Sequence, residues 1–318
     1  MKSLVTGGAG FIGSHLVRAM LDSGHEVRVL DDLSSGHLEN VDGRATFVKG
    51  DVADMGIVSD VVDGIDVVFH QAAHRAVLQS VEDPLSTDVA NIHGTLTVLK
   101  ASLDAEVSRV VAASSSSVYG GANQLPTPES AGLHPRSPYA ASKLGGELYC
   151  RVFAEQYGLA TVSLRYFNVY GPRQRPDSRY AAVIPLFIDA LRSQVPPVVH
   201  GDGKQTRDFT FVEDVVAANL AAAMAPREKC SGAAFNIACG DPHSLIELLE
   251  SLRQIMGADT SPQYAGPRAG DVRHSYADIS EASRCLGFTP SVGLEEGLRR
   301  TVAWFTTESA AAAQGIMR

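Results

Sequence analysis

The sequence has few of the features that would connect it with a membrane, a nucleic acid or an oxidising compartment. No apolar run approaches the ~18 residues needed to span a bilayer. The formal net charge of −9 argues against nucleic acid or an anionic membrane as the main partner. The 4 cysteines are scattered, with no CxxC motif and no nearby histidine spacing, so we expect reduced thiols and no metal site. A strand is predicted almost from the first residue, which leaves no room for a signal peptide and favours a cytoplasmic protein.

The most informative stretch that is present is LVTGGAGFIGSHL, at residues 4–16. It predicts a short buried strand, a tight glycine turn and an amphipathic helix. Gly7 and Gly10 allow the turn to form and a phosphate to approach the free N–H groups at the helix N-terminus. Gly13 allows the helix to lie close to the strand. The stretch therefore predicts a dinucleotide-binding site.

A second strand, predicted at residues 26–30, ends at Asp31. A carboxylate at this position can accept hydrogen bonds from both hydroxyls of an adenosine ribose. The same carboxylate would repel a 2′-phosphate on that ribose. The position therefore favours NAD over NADP.

The remaining strands of the first half are predicted at residues 45–48, 66–70 and 109–113, with one more at 162–166, and the helices at 54–62, 91–103 and 139–157. Their alternation predicts an α/β fold, a Rossmann-like doubly wound parallel sheet with helices on both faces. In such sheets, ligands bind beyond the carboxyl ends of the strands. We expect an NAD-binding domain at residues 1–166 and a smaller C-terminal substrate-binding domain at 167–318, some segments of which pack back on the first domain.

Tyr139 and Lys143, in the sequence YAASK, lie four residues apart and therefore on one face of a predicted helix. A phenol has an unperturbed pKa near ~10 and is a poor base at neutral pH. A neighbouring ammonium and the positive nicotinamide of bound NAD would both lower the pKa of Tyr139, and Lys143 could also hold the nicotinamide ribose. Ser115, at a predicted strand end, could share a hydrogen bond to a reacting hydroxyl. Asn91 could either satisfy a backbone carbonyl in the core or take part in a proton relay behind Lys143.

Motifs along nearly the whole chain resemble those of the extended short-chain dehydrogenases/reductases: TGGAGFIGSHL, Asp31, GDV at 51–53, SSSSVYG at 114–120, YAASK at 139–143 and RYFNVYGP at 165–172. Within that superfamily, the chain most resembles the nucleotide-sugar 4-epimerases. The resemblance implies a tightly held NAD, oxidation of a UDP-sugar at C4, rotation of the 4-keto sugar and return of the hydride to its other face. It also implies a homodimer formed through two helices of each subunit, for which the apolar faces at 91–103 and 139–157 are suitable.

The resemblance gives individual residues a role. Tyr139 is similar to the base that acts on the C4 hydroxyl, Lys143 to its pKa-lowering partner and Ser115 to the residue that shares the C4 hydroxyl. Arg75 is similar to a basic residue near the NAD pyrophosphate. The residues implied for NAD are Gly7, Gly10, Phe11, Ile12, Asp31, Asp32, Ser34, Ser35, Gly36, Asp51, Val52, Gln71, Ala72, Ala73, Arg75, Asn91, Tyr139, Lys143 and Tyr166.

A second set of residues is implied for the UDP-sugar. Asn168, Arg207 and Arg268 resemble residues that hold the diphosphate, and two arginines on glycine-flanked loops can grip a diphosphate bidentately. Asp271 resembles the acid that binds the uridine ribose. The full set comprises Val77, Ser115, Ser116, Tyr139, Asn168, Ala182, Val183, Arg207, Arg268, Asp271 and Ser275, with Ala182 and Val183 along the uracil.

The residues that follow Ser115 discriminate among the reactions of these enzymes. Nucleotide-sugar dehydratases carry Asp-Glu at the positions of Ser116 and Ser117, and decarboxylases carry Glu at the second position. Two serines provide no acid for an elimination, so epimerisation is favoured. Ser275 matches a position that is a bulky tyrosine in epimerases restricted to glucose and galactose. A small residue there leaves volume for an N-acetyl group, which favours UDP-GlcNAc and UDP-GalNAc, with UDP-Glc and UDP-Gal as further substrates.

Two alternatives stay open at this point. Arg175 resembles the arginine that receives the C6 carboxylate in UDP-glucuronate 4-epimerases, although those enzymes usually carry Thr at the position of Asn168. Some proteins of this fold keep the NAD site, lose catalysis and serve as binding or regulatory proteins. The intact Tyr139 and Lys143 argue against that second alternative.

Overall fold

A parallel sheet of seven strands organises the protein, which the computed structural model describes over residues 1–121, 124–176, 182–267 and 272–313, with side chains through residue 307. The strands are β1 Lys2–Thr6, β2 Glu26–Asp31, β3 Thr46–Lys49, β4 Val67–His70, β5 Arg109–Ser115, β6 Thr161–Tyr166, β7 Val169–Tyr170, β8 Val198–His200, β9 Thr206–Asp208, β10 Thr210–Phe211, β11 Ala233–Ile237, β12 Pro242–Ser244, β13 Gln263–Ala265 and β14 His274–Ser275. The helices are α1 Phe11–Asp22, α2 Met55–Val62, α3 Val77–Glu82, α4 Pro84–Asp88, α5 Gly94–Asp104, α6 Pro138–Gln156, α7 Val183–Arg192, α8 Val212–Met224, α9 Arg227–Cys230, α10 Leu245–Met256, α11 Ser280–Leu286 and α12 Leu294–Ala313.

The strand order confirms the predicted doubly wound sheet. The order is β3-β2-β1-β4-β5-β6-β11, and every neighbouring pair is parallel. It reverses between β1 and β4, which makes the carboxyl ends of these two strands the topological switch point where such sheets bind ligands. The last strand, β11, comes from the second half of the chain and pairs with β6.

Apolar side chains cover both faces of the sheet. On one face, Leu16 and Met20 of α1 pack with Val215 of α8. On the other face, Leu99 of α5 packs with Phe153 of α6 in a second core. A third core joins α7, α10 and α12 outside the large sheet. Among the described helices, none combines the length and the apolar character that crossing a membrane requires.

Three predicted helices differ from the observed ones at their N-termini. The helix predicted at 54–62 begins at Met55, because the Asp54 side chain caps it by accepting hydrogen bonds from the Gly56 and Ile57 N–H groups. The stretch predicted at 91–103 begins with a π-helical turn, Val89–His93, before α5. The stretch predicted at 139–157 begins one residue earlier, because Pro138 occupies the first turn and the Ser137 hydroxyl accepts a hydrogen bond from the Ala140 N–H.

The close packing of α1 on the glycine turn yields a prediction for stability. A Cβ at Gly13 would lie 2.2 Å from the Gly7 carbonyl oxygen, so Gly13→Ala must push the helix away from the turn. We expect the free energy of unfolding to fall by about 1–3 kcal/mol, as for other overpacked sites. Thermal unfolding measures the loss. Gly43→Ala is the control, because a Cβ there meets nothing within 4 Å, and equal melting temperatures for the two variants would contradict the prediction.

Candidate active site

The glycine turn joins β1 to α1 at the switch point. Gly7 has a φ of +70°, and a Cβ on it would lie 2.7 Å from the Ala72 backbone nitrogen beyond β4. Gly10 is the N-cap of α1 and makes no side-chain cap hydrogen bond. The first N–H groups of a helix need partners from outside the helix. The turn therefore presents backbone donors and the positive end of α1 to a ligand.

Asp31 fastens the end of β2 to this turn. Its Oδ2 accepts a hydrogen bond from the Ala9 N–H, and its Oδ1 accepts one from the Leu33 N–H, both at 2.9 Å. Burial raises the pKa of Asp31, whereas the two N–H donors lower it. A carboxylate has about four acceptor positions, so two remain for the hydroxyls of a ribose. The geometry thus fits the role predicted for Asp31.

A cavity of about 880 Å³ runs along the carboxyl ends of the central strands. We call it the cofactor cavity. Its walls include every residue implied for NAD except Asn91: Gly7, Gly10, Phe11, Ile12, Asp31, Asp32, Ser34, Ser35, Gly36, Asp51, Val52, Gln71, Ala72, Ala73, Arg75, Tyr139, Lys143 and Tyr166. Sequence reasoning missed further lining residues, among them Asn40, His74, Arg173 and Gln174. Loops bring these to the cavity, and no motif marks them.

Asn91 is buried and is not among the residues that line the cofactor cavity, so its implied contact with NAD stays a prediction. Its Nδ2 donates to the His74 carbonyl at 3.0 Å and to the Ser142 hydroxyl at 2.8 Å, and its Oδ1 accepts from the His74 N–H at 2.8 Å. The π-helical turn directs the amide to these partners. Its amide thus satisfies backbone groups of His74, as one of the two roles left open above requires, and the proton relay behind Lys143 stays a prediction.

The predicted catalytic residues meet at the end of β5. The Ser115 hydroxyl lies close enough to the Tyr139 phenol to act on the pKa of the phenol. Burial raises the pKa of Tyr139, while Ser115 and the positive charge of Arg75 lower it. The Lys143 ammonium donates to the Ala113 carbonyl at 2.9 Å, and burial lowers the pKa of Lys143 to about 8. Arg75 is thus a cation that acts on the phenol and that the YAASK motif does not include. The role of Lys143 as its pKa-lowering partner stays a prediction.

A second cavity, of about 670 Å³, adjoins the first and shares Gln174 with it. We call it the substrate cavity. Four of the residues implied for the UDP-sugar line it: Asn168, Ala182, Val183 and Arg207. Apolar side chains from α7 and from the segment before β8 form the rest of one wall. Such a wall is suited to contact with the flat ring of a nucleobase.

A buried carboxylate organises the polar side of the substrate cavity. Asp208 accepts N–H hydrogen bonds from Cys239, Gly240 and Ala277. Its own carbonyl accepts a hydrogen bond from the Asn168 side-chain amide at 3.0 Å. Asn168 has a φ of +36°, a conformation that asparagine tolerates better than most residues. Asn168 and Arg207, on the neighbouring residue of β9, are therefore held on one rigid scaffold.

The other residues implied for the UDP-sugar have different surroundings. Ser116 begins a short 3₁₀ turn directly after Ser115, and Ser275 pairs in register with Arg207 on the neighbouring strand β9. Val77 is exposed at the start of α3 and lines neither cavity. Arg268 and Asp271 lie outside the described residues.

Arg175 lies on the cofactor side of the junction between the cavities. Its guanidinium forms an ion pair with Glu39, in the loop that follows β2, and it lines the cofactor cavity. The hypothesis of a UDP-glucuronate enzyme requires this arginine beside the sugar. The ion pair instead directs its charge towards the loop after β2.

Comparison with known proteins shows to which family the chain belongs. The profile of the NAD-dependent epimerase/dehydratase family matches residues 3–238. A UDP-glucose 4-epimerase of Mycolicibacterium smegmatis is 40% identical over 316 residues, which cover 97% of this chain and 100% of that protein.

Solved structures agree. The UDP-glucose 4-epimerase of Thermotoga maritima, crystallised with UDP-glucose, is 39% identical with a TM-score of 0.93 and covers 97% of this chain and 100% of its own. A UDP-N-acetylglucosamine 4-epimerase of Methanobrevibacter ruminantium, in complex with UDP-N-acetylmuramic acid, is 40% identical with a TM-score of 0.92, over 96% of this chain and 98% of its own. A UDP-glucuronic acid 4-epimerase of Bacillus cereus, in complex with UDP-glucuronic acid and NAD, is 32% identical with a TM-score of 0.89. The match covers 97% of this chain and 100% of that one.

These similarities confirm the resemblance drawn from the motifs, and with it the cofactor. The uncapped helix N-terminus, the glycine turn and Asp31 form a cavity suited to a dinucleotide. The chain belongs to the NAD-dependent epimerase/dehydratase family, within the extended short-chain dehydrogenases/reductases, and its cofactor is NAD.

Proposed function

We propose that the protein is a UDP-sugar 4-epimerase that acts on UDP-GlcNAc and UDP-GalNAc, with UDP-Glc and UDP-Gal as further substrates. The observation that carries the proposal is the position of Tyr139 and Lys143 in the wall of the cofactor cavity, with the Lys143 ammonium at the end of the strand that bears Ser115. A cavity that contains Asn168 and Arg207 directly adjoins it. A sugar held by its diphosphate in the substrate cavity would extend past Gln174 towards the phenol.

The residues can move a proton at the sugar C4 hydroxyl. NAD, when bound, supplies the hydride acceptor and donor for C4. The Tyr139 phenolate accepts the hydroxyl proton when the carbonyl forms and returns it when the new hydroxyl forms. Ser115 orients the hydroxyl by hydrogen bonding, and Arg75 favours the phenolate by its charge. General acid–base catalysis of this kind contributes ~10²–10⁴-fold to a rate.

The surroundings of Ser115 support epimerisation over dehydration. The Ser117 N–H and hydroxyl both donate to the Ser115 oxygen, at 3.2 and 2.9 Å. A serine pair at 116 and 117 has no acid that could protonate a leaving hydroxyl at C6. Epimerisation needs no further acid, because the proton that Tyr139 accepts during the oxidation of C4 is returned during its reduction.

The preference for an N-acetyl group rests on Ser275. Its strand β14 runs parallel to β9, in register with Arg207 of the substrate cavity. A serine leaves room beside the sugar that a tyrosine would fill. The ion pair between Arg175 and Glu39 favours an uncharged sugar over the UDP-glucuronate alternative, because the arginine charge already has a partner.

The first test is Tyr139→Phe, which removes the proton acceptor and keeps the ring. We expect epimerisation to fall by ~10²-fold or more, with NAD content and melting temperature unchanged. Wild type and variant are incubated without added NAD with UDP-GlcNAc, UDP-GalNAc, UDP-Glc, UDP-Gal and UDP-GlcA, and the products are resolved by chromatography or NMR. Tyr157→Phe, at the exposed end of the same helix, is the control. Wild-type turnover by Tyr139→Phe would favour a catalytically silent NAD-binding protein.

The second test is Ser275→Tyr, which fills the space beside the C2 substituent. We expect turnover of UDP-GlcNAc to fall by about tenfold or more relative to UDP-Glc, because steric exclusion acts on the larger group. The control is His274→Tyr, whose side chain is exposed on the preceding residue. The hypothesis of an N-acetyl preference is wrong if wild type turns over UDP-Glc and leaves UDP-GlcNAc untouched. Turnover of UDP-GlcA that Arg175→Ala abolishes would support the uronate alternative.

We also propose that two copies of the chain form a homodimer. Exposed apolar side chains cluster on α3, α4 and α6, which pack against one another: Leu78, Val81, Leu85, Leu148 and Val152. Helix α5 turns its large apolar residues Val98 and Leu99 into the core, so the pairing surface comes from α3, α4 and α6. A patch of this kind on a monomer is a usual sign of an interface.

The test of the homodimer is Leu85→Glu, since Leu85 is 79% exposed within the patch. A carboxylate buried at an apolar interface without a partner is strongly unfavourable. We therefore expect the variant to elute as a monomer in size-exclusion chromatography with light scattering, whereas the wild type elutes as a dimer. Met224→Glu, at a position 76% exposed on α8, is the control and should leave the mass unchanged. A monomeric wild type would contradict the proposal.

A further inference from the structure

A buried ion pair lies behind the catalytic residues and belongs to neither cavity. The Arg165 Nη2 is 2.7 Å from the Glu147 Oε2, and the Arg165 Nε donates to the Glu147 Oε1 at 2.9 Å. Each side chain is only 3% exposed. Replacing a buried pair by apolar residues is often neutral or stabilising. Stability alone therefore gives no reason for these charges.

The carboxylate end of the pair ties α6 to the end of β5. Glu147 lies one helical turn after Lys143 on α6, and its Oε1 accepts a hydrogen bond from the Ser114 hydroxyl. Ser114 precedes Ser115, and the Lys143 ammonium donates to the carbonyl of Ala113. Two successive turns of α6 thus bind two consecutive residues of β5, Ala113 and Ser114, which directly precede Ser115.

The guanidinium end of the pair reaches the turn that follows Ser115. Arg165 pairs in register with Ser114 in the sheet, and its Nη1 donates to the Tyr119 hydroxyl at 2.8 Å. The guanidinium also lies 5.0 Å from the centre of the Tyr119 ring. Tyr119 in turn donates to the Asn236 side chain on β11 at 2.7 Å. The network therefore holds Ser114, which precedes Ser115, and Tyr119, in the turn that follows it. Through Asn236 it also connects these residues to β11, which comes from the second half of the chain.

We propose that Glu147 and Arg165 are a positioning pair for the reaction: by holding Ser114 and Tyr119 they fix the position of Ser115 beside the Tyr139 phenol. The inference deepens the proposed epimerase function and rests on it for the rate, but the positioning itself can be measured without turnover. Neither residue lines the cavities, so each acts through its neighbours.

The charges around Lys143 leave Glu147 as the anion that acts on it. Burial lowers the pKa of Lys143 to about 8, and Cys150 and Glu147 on the same helix raise it. Burial raises the pKa of Cys150 to about 12, so that thiol is neutral at working pH. Burial lowers the pKa of His70 on β4 to about 3, so the imidazole is neutral as well. Arg165, on β6 behind Glu147, would lower the pKa of Lys143 further if the carboxylate were removed.

The experiment compares wild-type holoenzyme with Glu147→Gln and with the double variant Glu147→Gln/Arg165→Met. The single variant leaves the buried Arg165 charge without its carboxylate partner and could fail to fold, whereas the double variant removes both charges. Each is characterised by melting temperature, NAD content, and kcat and KM as functions of pH.

We expect kcat to fall at least about tenfold in folded, NAD-containing protein, with KM little changed. The alkaline limb of the pH–rate profile should move to lower pH, because Lys143 loses the carboxylate that favours its charged form. Ser114→Ala, which cuts the hydrogen bond but keeps both charges, should lower kcat and leave that limb in place.

A second readout does not depend on turnover. The ionisation of Tyr139 is followed by ultraviolet difference absorption, with Tyr139→Phe as the blank, and we expect its midpoint to move to higher pH in the double variant. A double variant with wild-type kcat, alkaline limb and Tyr139 midpoint would overturn the proposal. A wild type without epimerase activity would overturn the proposed function instead, and the Tyr139 midpoint would still decide whether the pair positions the phenol.

Discussion

The contact between the first turn of α1 and the end of β1 is the constraint on which the rest of the site depends. The helix can lie this close only because Gly13 has no Cβ to strike the Gly7 carbonyl. Its uncapped N-terminus then points into the cofactor cavity, and Ala9 of the same turn is held by the Asp31 carboxylate. One steric requirement thus aligns the backbone donors, the helix dipole and the Asp31 carboxylate.

The two cavities meet because the chain crosses the sheet at its switch point and then returns. Strand β11 extends the large sheet beside β6, and the segment after β6 passes between the cavities with Gln174 in both. The buried Asp208 fastens this region through three backbone N–H groups. A buried carboxylate is tolerated when its lone pairs are satisfied in this way, and the diphosphate-binding candidates gain a rigid support.

Two tyrosines line the cofactor cavity, and their neighbours give them different chemistry. Burial raises the pKa of both phenols, that of Tyr166 to about 12. Tyr166 is held by the neutral amides of Gln71 and Asn219, whereas Tyr139 has the Ser115 hydroxyl and the Arg75 charge. Of these two described tyrosines, Tyr139 therefore has a neighbouring cation that favours its phenolate. The sequence pattern YxxxK selected the same tyrosine but could not include Arg75, because the pattern describes one helix and Arg75 comes from the loop after β4.

What the sequence by itself determined was local in the chain or carried by motifs: the strand–turn–helix at residues 4–16, Asp31, the parallel α/β sheet, the Tyr139–Lys143 helix and the family. Short-range sterics and periodicity suffice for the local elements, and the resemblance of the motifs implies the family. Tertiary structure alone decided the pairing of β11 with β6, the hydrogen bonds of the buried Asn91, the ion pair of Arg175 with Glu39, and the Glu147–Arg165 pair. Each of these joins residues far apart in sequence, and their contact depends on how the sheet brings distant segments together, which no local pattern encodes.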